Sequence, residues 1–245
     1  MPAEISIIIP AYNEERVIGE TIGEVSEYLE RRGLDYELIV VSDGSTDRTM
    51  EISRKKSAEN KRVKALENES RSGKGYSVKK GALAAGGDII AFTDADLSYP
   101  IIEVEKPLKI LSEKIADVAI GSRTVSGADI DVPLSPLRKL MSKVFNLFVR
   151  IIAIEGIGDT QCGFKAFSRE AAREIFSRQT MSGFSFDVEI IYIAQKLGYK
   201  IIEFPIHLAR YSESSSINPV SDSFFMFIDI IRIRLLDLQG RYKKE

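Results

Sequence analysis

Two carboxylates stand at the end of a short apolar run in the segment Asp88–Pro100, DIIAFTDADLSYP. They are Asp94 and Asp96, and in an extended strand residues i and i+2 project to the same side. Like charges held that close repel each other, and burial raises the cost. Mg²⁺ or Mn²⁺ would relieve this repulsion, because both ions take oxygen ligands and share them with phosphates. The pattern fits a metal and diphosphate site, and equally two caps, with Asp94 closing a turn and Asp96 starting a helix.

Three further polar segments follow apolar runs: PAYNEE at Pro10–Glu15, SDGSTD at Ser42–Asp47, and GKG around Lys74. Acidic residues do not hold a phosphate directly, so Asp43 is expected to hydrogen-bond a base or ribose, whereas Lys74 could contact phosphate. Taken singly, Asp43 and Glu14 are equally well explained as helix caps, and Lys74 as a solvated loop cation. Their combination on one edge of a sheet favours a nucleotide-sugar site.

The apolar runs that carry these segments alternate with helical patterns. Strands are predicted over 5–9, 36–41, 63–66 and 89–92, with helices over 15–32 and 48–59 and a third helix after Lys74. Pro10 is expected to end the first strand. Strands that alternate with helices imply parallel βαβ units, whose ligands bind at the carboxyl ends of the strands. The sequence therefore predicts an α/β fold with a mostly parallel central sheet.

The second half of the chain continues this alternation. Helices are predicted over 102–111, 168–178, 181–197 and 224–238, and strands over 117–120 and 199–210. Asp187 is either an N-cap or an active-site acid, and the single histidine, His207, is interpreted as structural. The apolar residues of the terminal helix cover most of its circumference, so it packs on the domain, on a partner chain or on lipid.

A helix over 136–154 combines a wide apolar face with a narrow polar stripe of Lys139, Lys143, Asn146 and Arg150. Such a basic stripe is typical of a helix at an anionic membrane surface. A buried core helix or a homodimer helix is the alternative interpretation.

Length, charge and cysteine content limit the classes of protein to which this chain can belong. The chain has 245 residues and a net charge of −2, from 34 basic and 36 acidic residues, so no basic excess favours nucleic-acid binding. One cysteine, Cys162, cannot form an intramolecular disulfide. No apolar run reaches the ~18–20 residues that span a bilayer, so the chain is expected to be soluble or peripheral, without a transmembrane segment.

The ordered motifs IIIPAYNEE, VVSDGSTD, GKGYSVKKGALAAGGDIIAFTDADLSYP, GSR and DTQCGFKAFSRE resemble glycosyltransferase family 2, whose members have the GT-A fold. With FSFDVEIIYIAQKLGYK, the set is most similar to the subgroup that makes dolichyl-phosphate or polyprenyl-phosphate sugars, and FIDIIRIR resembles the glucosyltransferases of that subgroup. The resemblance implies a GT-A domain over 1–215, with a nucleotide-sugar-binding half at 1–123 and an acceptor-binding half at 124–215. An amphipathic helix and a charged tail at 216–245 follow it.

On the donor side, the resemblance implies that Asp43 accepts a hydrogen bond from the base and that Asp96 is the principal metal ligand. Ser98 is expected as a second, weaker metal ligand, because it stands where mannosyltransferase relatives have a glutamine ligand. Lys74 belongs to the donor site, and Arg210 falls where an arginine contacts the diphosphate. The other residues expected to border the nucleotide sugar are Pro10, Ala11, Tyr12, Glu14, Asp94 and Ala95.

On the acceptor side, the resemblance implies that Arg123, Arg138 and Ser142 hold a lipid phosphate. The expected reaction is inverting, metal-dependent transfer of a hexose from UDP-glucose or GDP-mannose to a polyprenyl or dolichyl phosphate. It would take place at the cytoplasmic face of a membrane. Asp159 would act as the base if the acceptor were instead a saccharide or protein hydroxyl. A non-catalytic nucleotide-sugar-binding protein or scaffold is a further alternative, and a homo-oligomer or a membrane-protein partner stays open.

Overall fold

A seven-stranded sheet forms the centre of the molecule in a computed structural model that describes residues 3–131, 148–149, 152–209 and 221–243. Its spatial order is β3-β2-β1-β4-β7-β5-β8, and β7 is antiparallel to both of its neighbours while the other pairs are parallel. This confirms the predicted α/β architecture. The strands are β1 (Ile5–Ala11), β2 (Tyr36–Ser42), β3 (Val63–Glu67), β4 (Ile89–Phe92), β5 (Val118–Ser122), β7 (Lys165–Ser168) and β8 (Ile201–Pro205).

Helices cover both faces of this sheet. They are α1 (Ile18–Arg31), α2 (Thr49–Glu59), α3 (Lys74–Ala84), α4 (Glu105–Ser112), α5 (Arg169–Arg178), α6 (Phe186–Lys196) and α7 (Ser221–Leu238), and a 3₁₀ turn at Ile101–Val104 precedes α4. Because side chains alternate along a strand, Ile8 packs in the core layer with α3, α5, α6 and α7, whereas Ile7 and Ile9 pack in the layer with α1 and α4.

The first strand is longer than predicted. β1 continues through Pro10 to Ala11, which pairs with Ser42, so the expectation that Pro10 ends the strand is wrong. The physical reason is local: β4 pairs with β1 only as far as Ile8, and beyond that point β1 has a ladder on the β2 side alone. Proline tolerates such an edge position, because no partner needs its missing N–H there.

A small second sheet lies beside the main one. Its two parallel strands are β6 (Asp129–Ile130) and β9 (His207–Leu208). The predicted strand over 199–210 is thus divided into β8 and β9, and the backbone N–H of Ala209 donates to the carbonyl of Ser98 at 3.1 Å. This bond ties the β9 segment to the loop that follows β4.

None of the helices in the described part of the chain combines the length and the apolar character that crossing a bilayer requires. The predicted basic stripe over 136–154 lies largely outside the described residues, and so do Arg138, Ser142 and Arg210.

Candidate functional site

The loops after β1 and β2 are joined by side-chain hydrogen bonds at the carboxyl edge of the sheet. The Asn13 side-chain oxygen accepts from the Thr46 N–H at 2.8 Å, and the Glu14 N–H donates to the Thr49 hydroxyl at 2.7 Å. Asn13 has a φ of 55°, a left-handed conformation that asparagine tolerates better than most residues. These bonds hold the end of β1, with Pro10 and Ala11, and the following loop, with Tyr12 and Glu14, beside the SDGSTD segment.

Asp43 organises the loop that precedes α3. It is buried, and its carboxylate accepts from the Asn68 side-chain amide and from the backbone N–H groups of Ser72 and Gly73, each at 2.8 Å. Gly73 is needed at this point, because its φ is 103° and a Cβ there would lie 2.3 Å from the carbonyl oxygen of Ser182. Asp43 thus fixes the backbone that carries Lys74.

A cleft of about 560 Å³ opens next to Asp43. The loop after β2 forms one wall and the end of β3 forms the other. Its lining residues are Gly44, Ser45, Thr46, Glu67, Asn68 and Glu69. The Arg71 guanidinium stacks over the Tyr12 ring, 4.3 Å from its centroid, so an aromatic face and a cation frame the same end of the sheet.

Asp94 and Asp96 both lie in the turn after β4, which ends at Phe92. The Asp96 carboxylate accepts from the Ser98 N–H at 2.9 Å and from the Ser98 hydroxyl at 2.8 Å. Leu97 between them has a φ of 47°, which is uncommon for a residue with a Cβ. This turn, not a continued strand, sets the directions of the two acids. Ser98 supports the carboxylate of Asp96 through its hydroxyl.

Asp94 sits in a tight space. Its Oδ1 pairs with the Lys74 ammonium at 2.6 Å, and a Cβ added to Gly163 would lie 2.1 Å from its Oδ2. Glycine at 163, which lies in the DTQCGF motif, therefore leaves the space that Asp94 occupies. Burial alone would lower the pKa of Lys74, but the attraction of Asp94 and then of Asp187 outweighs it and raises that pKa above its ordinary value. Lys74 is therefore a firmly charged ammonium.

A buried ion pair lies behind Lys74. The Lys165 ammonium is fully buried, and it donates to the Asp187 carboxylate at 2.5 Å and to the carbonyl of Cys162 at 2.7 Å. Ser185 is the N-cap residue of α6, so the interpretation of Asp187 as an N-cap is wrong. Asp187 instead joins α6 to β7 and adds negative charge next to Lys74.

Arg123 and Asp159 form a two-pronged ion pair. The guanidinium Nε and Nη2 donate to the two carboxylate oxygens of Asp159 at 2.7 and 2.8 Å, and the Arg123 backbone N–H donates at 3.0 Å. Burial alone would raise the pKa of Asp159, but the charge and hydrogen bonds of Arg123 outweigh it and keep this pKa below its usual value. Asp159 is therefore an ionised carboxylate and a weak base.

Negative charge accumulates around Asp96. The pKa of Glu14 is raised to about 7, mainly by burial and then by the charges of Asp96, Asp47 and Asp94. A cluster of hard oxygen donors with unbalanced negative charge fits Mg²⁺ or Mn²⁺. Asp96 and Asp94 are the acids that the sequence led us to expect as ligands of such an ion, and Asp94 is already paired with Lys74.

Asp129, Asp131 and His207 form a second group of candidate ligands. One ligand atom from each lies within 4.8 Å of the others, and His207 Nε2 is 2.7 Å from Asp131 Oδ2. The parallel pairing of β6 with β9 brings them together. No sequence pattern assigns a role to either acid, because only the pairing of two short strands joins residues this far apart in the chain.

Comparisons with known proteins bear on this arrangement. Residues 6–176 match the model of a family described as "Glycosyl transferase family 2". A dolichyl-phosphate beta-glucosyltransferase of Trichomonas vaginalis is 35% identical over 246 residues, which are 96% of this chain and 72% of that protein. The human dolichyl-phosphate beta-glucosyltransferase is 33% identical over 254 residues, which are 99% of this chain and 78% of that protein.

Solved structures share the fold. Glucosyl-3-phosphoglycerate synthase from Mycobacterium tuberculosis, in complex with Mn²⁺, UDP and glucosyl-3-phosphoglycerate, superposes with a TM-score of 0.70 at 19% identity, over 96% of this chain and 79% of that one. Mannosyl-3-phosphoglycerate synthase from Rubrobacter xylanophilus gives a TM-score of 0.69 at 17% identity, over 99% of this chain and 77% of that one. At these identities the likeness concerns the fold.

Proposed function

This chain belongs to glycosyl transferase family 2, and we propose that it transfers glucose from UDP-glucose to dolichyl or polyprenyl monophosphate, with inversion at the anomeric carbon. It is a glycosyltransferase, with a GT-A type of fold. Relatives named as dolichyl-phosphate beta-glucosyltransferases match nearly the whole chain, which supports glucose ahead of mannose and a lipid phosphate ahead of a saccharide or a protein.

The pairing of Arg123 with Asp159 is the observation that carries the acceptor assignment. A hydroxyl acceptor needs a general base, whereas a phosphate monoester is already ionised near neutral pH. Both oxygens of Asp159 are held by Arg123, and its pKa is lowered, so this carboxylate is poorly suited to remove a proton. The remaining N–H groups of the Arg123 guanidinium can bind phosphate oxygens. A phosphate acceptor suits this pair better than a hydroxyl.

The uridine base is supported by the contacts of Asp43. A carboxylate offers about four acceptor positions, and Asn68, Ser72 and Gly73 occupy three of them here. One position is left, which matches the single ring N–H of uracil. Guanine presents a ring N–H and an amino group side by side and would need two acceptors. The cleft between Gly44 and Glu69 gives the base room beside Asp43.

The chain's own groups position the two substrates. Asp94 and Asp96 would hold Mg²⁺ or Mn²⁺, which when bound would neutralise charge on the leaving diphosphate. Lys74 adds a fixed positive charge on the same side of the sheet. Arg123, oriented by Asp159, would align the acceptor phosphate for attack at the anomeric carbon. Arg138, Ser142 and Arg210 complete the proposed phosphate contacts from outside the described residues.

A donor and acceptor screen tests the proposal. UDP-glucose and GDP-mannose are each offered with Mn²⁺ to the purified chain, together with a short polyprenyl phosphate or a free sugar. We expect glucosyl transfer from UDP-glucose to the lipid phosphate, and its loss in Asp96→Asn. Asp88→Asn is the matched control, because Asp88 precedes the same strand but is 67% exposed and pairs with Arg169. Transfer to the free sugar alone, or equal activity in Asp96→Asn, would contradict the proposal.

A further inference from the structure

The outward face of α7 carries an apolar stripe. Ile228, Ile231, Leu235 and Leu238 are 47%, 49%, 52% and 79% exposed, and their spacing of i, i+3, i+7 and i+10 places them on one side of the helix. Ile230 and Ile233 on the opposite side are fully buried against the domain. The helix is therefore anchored by one apolar face while it presents a second one to its surroundings.

The charges of this helix are divided between its two sides. Asp229 accepts from the Ser185 hydroxyl at 2.6 Å, and Asp237 accepts from the Tyr192 hydroxyl at 2.6 Å and pairs with Lys196 at 3.1 Å, so both acids are turned toward the domain. The exposed charged residues of α7 and its tail, within residues 226–243, are all basic: Arg232, Arg234, Arg241 and Lys243. Arg232 borders the apolar stripe on one side. Arg234 borders it on the other side, where its guanidinium donates to the Tyr192 hydroxyl at 2.7 Å and lies over that ring.

We propose that this face, defined by Ile228, Ile231, Leu235 and Leu238 with Arg232, Arg234, Arg241 and Lys243, docks on an anionic lipid bilayer. An apolar stripe bordered by arginines fits a surface that offers acyl chains beneath negative headgroups. Basic residues on both sides would repel a second copy of the same face. Both acids of α7 contact the domain, while Arg232, Arg241 and Lys243 remain exposed, and this charge pattern favours a membrane over self-association.

The position of α7 relative to the site suggests why the chain would dock on a membrane. This step rests on the proposed lipid acceptor. The Gln161 side-chain amide contacts the Met226 sulfur at 3.8 Å, and Gln161 donates its backbone N–H to Asp159 at 3.2 Å. The Phe148 and Phe227 rings meet edge to face, with 4.6 Å between centroids. Met226 of α7 is therefore linked to the Arg123–Asp159 pair through Gln161. A bilayer under the stripe would bring a lipid phosphate close to that pair.

Vesicle flotation of the full chain tests the inference, with vesicles of phosphatidylcholine alone or with phosphatidylserine. We expect the chain to bind the anionic vesicles. The affinity for these vesicles should fall about tenfold in the double variant Ile231→Ser/Leu235→Ser. It should fall about fivefold in each of the single variants Arg232→Gln and Arg241→Gln. Leu83→Ser is the matched control, because Leu83 on α3 is 48% exposed and does not belong to the proposed face. Equal binding of the stripe variants and the control would overturn the inference.

A depth measurement gives an independent readout. The chain has no tryptophan, so Leu238→Trp and the control Leu83→Trp each carry a single fluorophore. We expect a blue shift and quenching by brominated acyl chains for Leu238→Trp only. A concentration-dependent blue shift without vesicles, together with a dimer in sedimentation, would instead assign the face to a second copy of the chain.

The proposed docking face and the proposed reaction can be rejected independently of each other. Transfer to a short, water-soluble polyprenyl phosphate should be unchanged in Ile231→Ser/Leu235→Ser, while transfer to dolichyl phosphate in vesicles falls. Normal vesicle binding by that variant would reject the docking face and leave the reaction intact. Selective loss of vesicle binding in a chain that transfers glucose to no lipid phosphate would reject the reaction and keep the docking face.

Discussion

Lys74 and Asp94 form an ion pair with 2.6 Å between the ammonium nitrogen and Oδ1, and both side chains are largely shielded from solvent. The sequence suggested phosphate contact for this lysine, and contact with a metal or with the nucleotide sugar for this acid. In the structure the two neutralise each other at the place where a cation and a diphosphate are proposed to bind. If Asp94 is a metal ligand as proposed, Lys74 would compete with the ion for this carboxylate, and a donor phosphate would offer the lysine another partner.

Lys74→Gln is expected to change the binding of metal and donor in opposite directions. Without the competing ammonium, Mn²⁺ alone should bind about tenfold more tightly, because Asp94 is left uncompensated. UDP-glucose in saturating Mn²⁺ should bind about tenfold more weakly, because one charged phosphate contact is lost. Titration calorimetry of each ligand measures both effects. Lys109→Gln on α4, an exposed lysine outside the site, should change neither. Weaker binding of both ligands would show that Lys74 does not compete with the metal.

Gly163→Ala is expected to abolish most activity without unfolding the protein. The new Cβ would lie 2.1 Å from Asp94 Oδ2, and the end of that side chain can move while the backbone stays in place. A displaced carboxylate should reduce kcat/KM about 100-fold, whereas the free energy of unfolding should change by less than about 1 kcal/mol. Gly23→Ala is the control, because nothing lies within 4 Å of its Cβ position in α1. It should leave activity unchanged and stabilise the helix by about 0.5–1 kcal/mol. Full activity in Gly163→Ala would contradict the assignment of Asp94.

The order of strands and helices in the first half of the chain and the loops that carry the site could be predicted from the sequence, because periodicity and turn residues are local signals. Asp94 and Asp96 were expected at the carboxyl end of a buried strand, and β4 ends at Phe92. The continuation of β1 through Pro10 could not be predicted, because it depends on how far a neighbouring strand pairs.

The partners of the charged side chains could not be predicted from the sequence either. Arg123 and Asp159 lie 36 residues apart, Lys165 and Asp187 lie 22 apart, and His207 and Asp131 lie 76 apart. Only the strand order brings each pair together, and no periodic pattern links positions on different elements. Asp187 shows the consequence: its place near the start of a helix suggested a cap, whereas its contact with β7 makes it the partner of a buried lysine.

Glu14 is expected to make stability depend on pH. In the folded protein its pKa is raised to about 7 from an ordinary value of 4.5, so between these values the native state binds more protons than the unfolded state. The free energy of unfolding should therefore fall as the pH rises from about 4.5 to about 7, and the stabilisation is fully present below that window. Glu14→Gln removes this loss of stability. Between pH 5 and pH 8, the free energy of unfolding of the variant relative to that of the wild type should rise by about 1 kcal/mol, a value reduced for solvent screening because Glu14 is half-buried.

Urea unfolding of both proteins at pH 5 and pH 8, with a chelator present, measures the Glu14 effect. Glu24→Gln is the control, since Glu24 is exposed on α1. Because other groups titrate equally in the variant and the wild type, only the difference between the two proteins is compared. The same difference at both pH values would show that Glu14 does not titrate in this window.

Asp159→Asn separates a positioning role from a base role. Loss of the buried carboxylate leaves the Arg123 guanidinium without its two-pronged partner, so stability should fall by about 3 kcal/mol. The KM for the lipid phosphate should rise, because Arg123 is no longer oriented, while the acidic limb of the pH–rate profile stays in place. A catalytic base would behave differently: its removal typically lowers kcat by about 10²–10⁴-fold and abolishes that limb.

Arg123→Lys is the companion variant, because it keeps the charge but loses the two parallel hydrogen bonds to Asp159. It should raise the acceptor KM in the same direction and leave donor binding unchanged. Calorimetry with UDP and Mn²⁺, at a temperature where both variants are folded, confirms that the donor half is intact. A large fall in kcat at constant KM in Asp159→Asn, with normal behaviour of Arg123→Lys, would make Asp159 the base and would favour a hydroxyl acceptor over the lipid phosphate.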